Sequence, residues 1–312
     1  MERYALFTND VETHSLWFNS LRDETGYKVW REAMPKILDL YDKHHVKSTF
    51  FYTGHIANLY PDVVTMAAKR GHEIACHGLS HKPEDGFDVM PFEKQKSHLL
   101  TAKSILEEIS GQEVISFRAP ALRVNEWTTQ ALIETGFKID SSIASQRFDF
   151  GFSFGSKEKL KFIFSPRLPY RTSSKFLHKK GEDGLIEVPV SAFILPYISP
   201  SLRAFPITTR MLRRLLVLEN RFNNKPLVFY SHPPEFIDES DDLPEKETVN
   251  RRVSGTLEYL VRDFLKSKIK RKNLGPEALS MMEREVKFFV TNSFRFLTLK
   301  EFCLGQGLIE MS

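Results

Sequence analysis

Along the first 140 residues, short apolar runs alternate with stretches of helical spacing, and most of the runs stop at polar side chains. Residues 4–8 end at Asn9-Asp10, residues 72–76 at His77, residues 114–117 at Arg118-Ala119-Pro120, and residues 137–139 at Asp140. Residues 46–52 form a further run of the same kind. The intervening stretches repeat apolar residues as a helix does, for example Val29, Ala33, Ile37, Leu40 and Tyr41. A parallel strand pair needs a crossover long enough to hold a helix, so this alternation predicts parallel βα units in an α/β fold. All strands then point the same way, and the polar residues at their carboxyl ends share one mouth.

The rhythm fails between residues 141 and 201, a stretch rich in Phe, Gly, Ser, Lys and Pro with one strand at 185–190. We expect an irregular excursion over the barrel mouth, inside a single domain spanning residues 1–312. A helix at 208–222 and a strand at 227–230 ending at Ser231-His232 follow. Helices at 245–270 and 276–288 and a final segment at 299–304 complete the chain. A length of 312 residues would suit two average domains, but barrel-type α/β chains stay single well past that. With 41% hydrophobic and 27% charged residues, wholesale disorder is excluded. A net charge of +4 is far short of a nucleic-acid-binding composition. Cys76 and Cys303 are too few for a disulfide framework or a cysteine-based metal knuckle. No apolar run approaches the ~20 residues of a spanning helix. Met1-Glu2-Arg3-Tyr4 runs into a strand with no signal-peptide pattern, so a cytoplasmic location is expected.

The strand ends carry the chemistry. His77-Gly-Leu-Ser-His81 places two histidines at i and i+4, which on one helical turn would reach a common divalent ion. In Asp10-Val11-Glu12 the two carboxylates lie two apart on extended chain and face one side, which suits one for metal and one for a proton. Arg118 is the natural partner of Asp10. His232, ahead of Pro233-Pro234, can serve as a general acid because its pKa lies near neutrality.

In order and spacing these residues resemble the polysaccharide deacetylases, the carbohydrate esterases with a NodB-type homology domain. The Thr8-Asn9-Asp10-Val11-Glu12 segment resembles the first family motif, His77 and His81 its HxxxH motif, Arg118-Ala119-Pro120-Ala121 its RxPY motif, and the strand ending in His232 its last. The resemblance implies a distorted seven-stranded (β/α) barrel and one metal ion held by His77, His81 and Glu12. Zinc is favoured, with cobalt or nickel as substitutes. It further implies Asp10 as general base, Arg118 as the residue orienting it and His232 as general acid. Pro120 and Ala121 would line the substrate groove, with the Ala121 N–H helping to stabilise the oxyanion.

Three departures stand out. Val11 separates two carboxylates that are adjacent in the commoner motif, so their base and ligand roles could be exchanged. Ala121 replaces an aromatic and strips a wall of the groove. No Asp-Trp pair matches the fourth motif, although Asp140 falls in its region and is kept as a further catalytic candidate. These features resemble a cytoplasmic subgroup with an Asp-x-acid motif.

The expected activity is removal of an acetyl or formyl group from the nitrogen of an amino sugar in a glycan or glycan precursor. Two alternatives stay open: hydrolysis of a small non-sugar amide on the same fold, with or without a bound metal, and an inactive carbohydrate-binding module. The substrate could be lipid-linked at the inner membrane face. Five basic residues at 266–272, the arginine-leucine helix around Arg213 and the apolar stretch 194–198 would then contact the anionic surface. No nucleic-acid partner is expected.

Overall fold

The computed structural model describes residues 2–146, 157–243 and 266–310. Seven strands form a continuous parallel path: β1 (Arg3–Val11), β2 (Ser48–Tyr52), β3 (Glu73–Cys76), β4 (Ser116–Phe117), β5 (Ile139–Asp140), β6 (Ile186–Glu187) and β7 (Leu227–Ser231). Their order is β7-β1-β2-β3-β4-β5-β6. Among the described residues the short strand Phe294–Phe296 also pairs parallel with β1, off this path. Closure rests on two residues past β6, Ser191 and Ile198, the second forming a parallel bridge with Tyr230. The backbone N–H of Ser191 donates to the Val228 carbonyl at 3.2 Å, and the Val228 N–H donates to the Ser191 hydroxyl at 3.0 Å. The expected distorted barrel therefore forms, its distortion lying in the two-residue strands β4, β5 and β6 and in this narrow seam.

Side-chain alternation divides the barrel. Leu6, Phe51, Ala75, Ile115, Ile139, Ile186 and Val228 point inward and pack together. The outward residues, among them Phe7, Val11, Phe50, Phe117 and Phe229, pack against the helical layer. That layer includes α1 (Met34–Lys43), α2 (Asp62–Lys69), α3 (Phe92–Ser110), α4 (Thr128–Glu134), α5 (Pro206–Asn223) and α6 (Pro276–Thr291). The foot of the barrel is stoppered by α7 (Leu299–Gly305), whose Leu299, Phe302 and Cys303 join the inner cluster. Its first turn is anchored by Thr49 Oγ1 and by the buried Glu73 carboxylate, which accept from the N–H groups of Leu299 and Lys300. A carboxylate there also suits the positive end of the helix. With the foot filled, the opposite end of the barrel is left for the strand-end side chains.

The excursion differs from expectation. Its strand β6 is part of the barrel wall, and the strand Tyr170–Arg171 pairs antiparallel with it. Thr172 and Leu185 continue that pairing away from the mouth, and Arg171 donates to the Leu308 carbonyl beyond α7. This part of the stretch therefore lies at the foot, because an antiparallel neighbour of a parallel strand leads the chain back to the strand's start. Residues 147–156, and most of the helix expected at 245–270, lie outside the described residues. Among the described residues no helix is long and apolar enough to cross a membrane.

Candidate active site

The same alternation that buries Leu6 carries Thr8, Asp10 and then Glu12 to the inner side of the mouth. Both carboxylates are almost fully buried. Arg118, one residue beyond β4, crosses the barrel to meet them. Its Nη1 donates to Asp10 Oδ1 at 2.7 Å and to Thr8 Oγ1 at 2.8 Å, while Nε and Nη2 donate to the backbone and hydroxyl of Ser141. The guanidinium lies over Phe51 and Tyr230, so it is held on both faces and at its edge. Burial would raise the Asp10 pKa, but the charges of Arg118, His77 and His232 outweigh it and hold the carboxyl below its ordinary range.

His77 and His81 converge as expected, but not on a helical turn. The segment is a loop in which Gly78 adopts φ +73, a conformation open to glycine. A Cβ there would come within 3.0 Å of the Phe87 ring. The N–H groups of Gly54 and His55, at the start of the short helix Gly54–Leu59, donate to the carbonyls of Gly78 and Leu79 and fix the loop. His77 Nδ1 donates to the Arg118 carbonyl at 2.8 Å, which leaves the Nε2 lone pair for a ligand. Burial lowers the pKa of His77 and pushes that of His81 down to about 4, so both imidazoles are neutral at pH 7.

One ligand atom each from Glu12, His77 and His81 lies within 4.8 Å of the others. Glu12 Oε2 sits 3.2 Å from His81 Nε2, yet this buried oxygen has no hydrogen bond. Burial also pushes the Glu12 carboxyl up. A buried acceptor without a donor, facing two neutral imidazoles, fits a divalent cation, whose charge would offset the cost of an ionised Glu12. Two imidazole nitrogens and one carboxylate oxygen could hold such an ion.

His232 extends the inward row of β7, and its Nε2 is 4.0 Å from Asp10 Oδ2. On its other side Nδ1 meets Glu235 Oε1 at 2.8 Å. Glu235 is fully buried and receives Arg203 Nε at 2.6 Å. Burial works against the charged forms of both residues. Their mutual pairing, with Arg203, Asp10 and Glu12 around them, nevertheless raises His232 to about 9 and lowers Glu235 to about 2. Sequence reasoning missed Glu235 and Arg203; the acid three residues after His232 was the only local signal. His14, also assigned no role, has its ring 6.1 Å from that of His81.

Pro120 is buried, and Ala121 and Leu122 both adopt φ +54, a strained pair of non-glycine residues beside Arg118. Asp140 is not brought to the mouth. Ile139 faces inward, so Asp140 takes the opposite face of the sheet, as does its register partner Glu187. Its carboxylate accepts from Ser142 Oγ at 2.7 Å, and Ser142 Oγ in turn receives the Ala119 N–H. Burial raises the pKa of Asp140, and burial together with Asp140 raises that of Glu187. Asp140 thus braces the wall behind Arg118.

The arrangement also bears on the three segments assigned to a membrane. Lys270 donates to Asn19, and Lys272 to the Ala204 carbonyl, so two cations of the basic run are turned onto the protein. Arg213 is buried against Glu285, and Tyr197 and Ile198 lie in the core.

Residues 10–139 match the family model described as polysaccharide deacetylase. Over 146 residues the chain is 25% identical to a peptidoglycan deacetylase of Helicobacter pylori, covering 45% of this chain and 49% of that protein. A peptidoglycan-N-acetylglucosamine deacetylase of Bacillus cereus is 30% identical over 103 residues, 32% of this chain and 36% of its own length. The chain thus spans about half or less of the curated relatives it matches. A crystal structure of a Mycobacterium smegmatis protein assigned to the polysaccharide deacetylases superposes with a TM-score of 0.64 at 16% identity, over 100% of this chain and 94% of that one. That likeness establishes the fold. Over the stretch from Asp10 to Ile139, this chain is similar to the polysaccharide deacetylases.

Proposed function

We propose that this chain is a metal-dependent hydrolase that removes an acetyl or formyl group from the nitrogen of an amino sugar in a glycan or glycan precursor. The observation that carries the reading is the set of Glu12, His77 and His81 next to a carboxylate, Asp10, kept ionised by a buried arginine. Relatives named for deacetylating peptidoglycan support the substrate class.

Amide hydrolysis needs an activated water, a polarised carbonyl and a proton for the departing amine. A divalent ion bound by Glu12, His77 and His81 would supply Lewis acidity to the carbonyl and to water. Asp10 takes the proton of the attacking water, since Arg118 occupies Oδ1 and leaves Oδ2 toward His232. The Ala121 N–H is assigned the oxygen on which negative charge develops. His232, kept as imidazolium by Glu235, gives its Nε2 proton to the leaving nitrogen. The test is release of acetate or formate from N-acylated glucosamine oligomers by zinc-loaded protein. Release from a small ureide but from no amino sugar would move the chain to the non-sugar amide reading, and release from neither would end the hydrolase reading.

A further inference from the structure

Helix α5 is apolar on two faces. Leu212, Leu216 and Val217 pack into the barrel, and Ile207, Met211, Leu215, Leu218 and Phe222 form a second stripe, 73%, 61%, 53%, 48% and 84% exposed. The spacing of four, four, three and four residues keeps the stripe on one side along the whole helix. It continues beyond the helix. Phe193 and Ile194, each 47% exposed, stand on the adjoining hairpin, and Ile194 holds φ +65, a costly conformation for a β-branched residue. Arg167 ties hairpin to helix, donating to the Ala192 carbonyl and, through Nε, to Glu219.

The charges around the stripe have one sign. Arg210, Arg214 and Arg221 reach solvent beside it, while Glu219, the only carboxylate of α5, is engaged by Arg167 and Lys225. We propose that this face of α5, with Phe193 and Ile194, is a docking surface for an anionic lipid bilayer. Apolar side chains flanked by arginines suit the boundary between head groups and acyl chains. A second copy docked on the same face would bring two cationic rows together. The inference does not depend on the chemistry assigned to the mouth. Of the three expected lipid contacts it keeps the arginine-leucine helix and Ile194, and leaves out the basic run, whose Lys270 and Lys272 are bound to the protein.

Full-length protein sedimented with phosphatidylglycerol–phosphatidylcholine vesicles tests it, beside the double variants Leu215→Glu/Phe222→Glu and Arg214→Gln/Arg221→Gln and the control Lys268→Gln. All the altered side chains are exposed, and unchanged thermal unfolding verifies the fold. Wild type and Lys268→Gln should sediment at low salt, more weakly with phosphatidylcholine alone. Removing the two arginines should weaken binding by about 25-fold, since each cation near an anionic surface is worth about fivefold. Replacing Leu215 and Phe222 should abolish it. Three outcomes overturn the proposal: no sedimentation of wild type, equal sedimentation of all variants, or a wild-type dimer that the Leu215→Glu/Phe222→Glu variant dissociates while vesicles are ignored.

Discussion

His232 Nδ1 lies 2.8 Å from Oε1 of Glu235, and the other oxygen of that carboxylate receives Arg203 Nε at 2.6 Å. The general-acid candidate is thus oriented by a buried ion pair three residues along its own chain. Because His232 is raised to about 9, its acid form persists through neutral pH and is lost as pH rises past that value. We predict that Glu235→Gln moves the basic limb of the kcat profile down toward the ordinary histidine value of ~6.5. It should also lower kcat by roughly 10- to 100-fold with little change in KM. Glu235→Asp should restore part of the shift. A variant that is merely less stable, with the limb unmoved, would assign Glu235 to structure alone.

Asp10 and Glu12 should separate cleanly. Asp10→Asn removes the base and should cost at least ~10²-fold in kcat while zinc stays bound. Glu12→Gln should weaken the metal itself. Zinc content and turnover measured on the same samples decide it, and the opposite pattern exchanges the two roles.

One zinc per chain is expected by elemental analysis after reconstitution. His77→Ala should lose it, as should His81→Ala. Chelation should abolish turnover, and zinc or cobalt should restore it. Full occupancy in His77→Ala would remove this site from consideration.

Asp140→Asn provides the contrast. Because its side chain takes the wall face, we expect kcat within about tenfold of wild type, the loss reaching the mouth only through Ser142 and Arg118. A loss matching that of Asp10→Asn would make Asp140 part of the chemistry.

His72 is buried against Phe50 and Tyr41, with no hydrogen bond at either nitrogen, and burial lowers its pKa to about 4. The folded value lies below the unfolded value of ~6.5, so the unfolded chain takes up the proton first as pH falls. Stability is therefore intact above ~6.5 and declines toward pH 4, by about 3 kcal/mol for this group. His72→Leu should flatten that part of the denaturation profile. A profile unchanged by the substitution would mean that other groups control acid unfolding.

Much of the site could be read before any coordinates. Parallel βα units send every strand's carboxyl end to one mouth, and a two-residue period sets Asp10 and Glu12 on one side of it. The Arg118–Asp10 pair followed from charge and position alone. Other features required the fold. His77 and His81 fit a helical turn by spacing, but Gly78 and the start of a neighbouring helix hold them in a loop instead. Asp140 looked like one more strand-end acid, and only register with Glu187 places its carboxylate behind the wall. Glu235 needed Arg203, 32 residues earlier in the chain, before burial of its charge made sense. Helix α5 is apolar on two sides, so its sequence alone leaves open which side the barrel takes. Periodicity is local and repeats along the chain, so sequence carries it. The face a side chain finally presents depends on which distant segment packs against it, and that choice belongs to the tertiary structure.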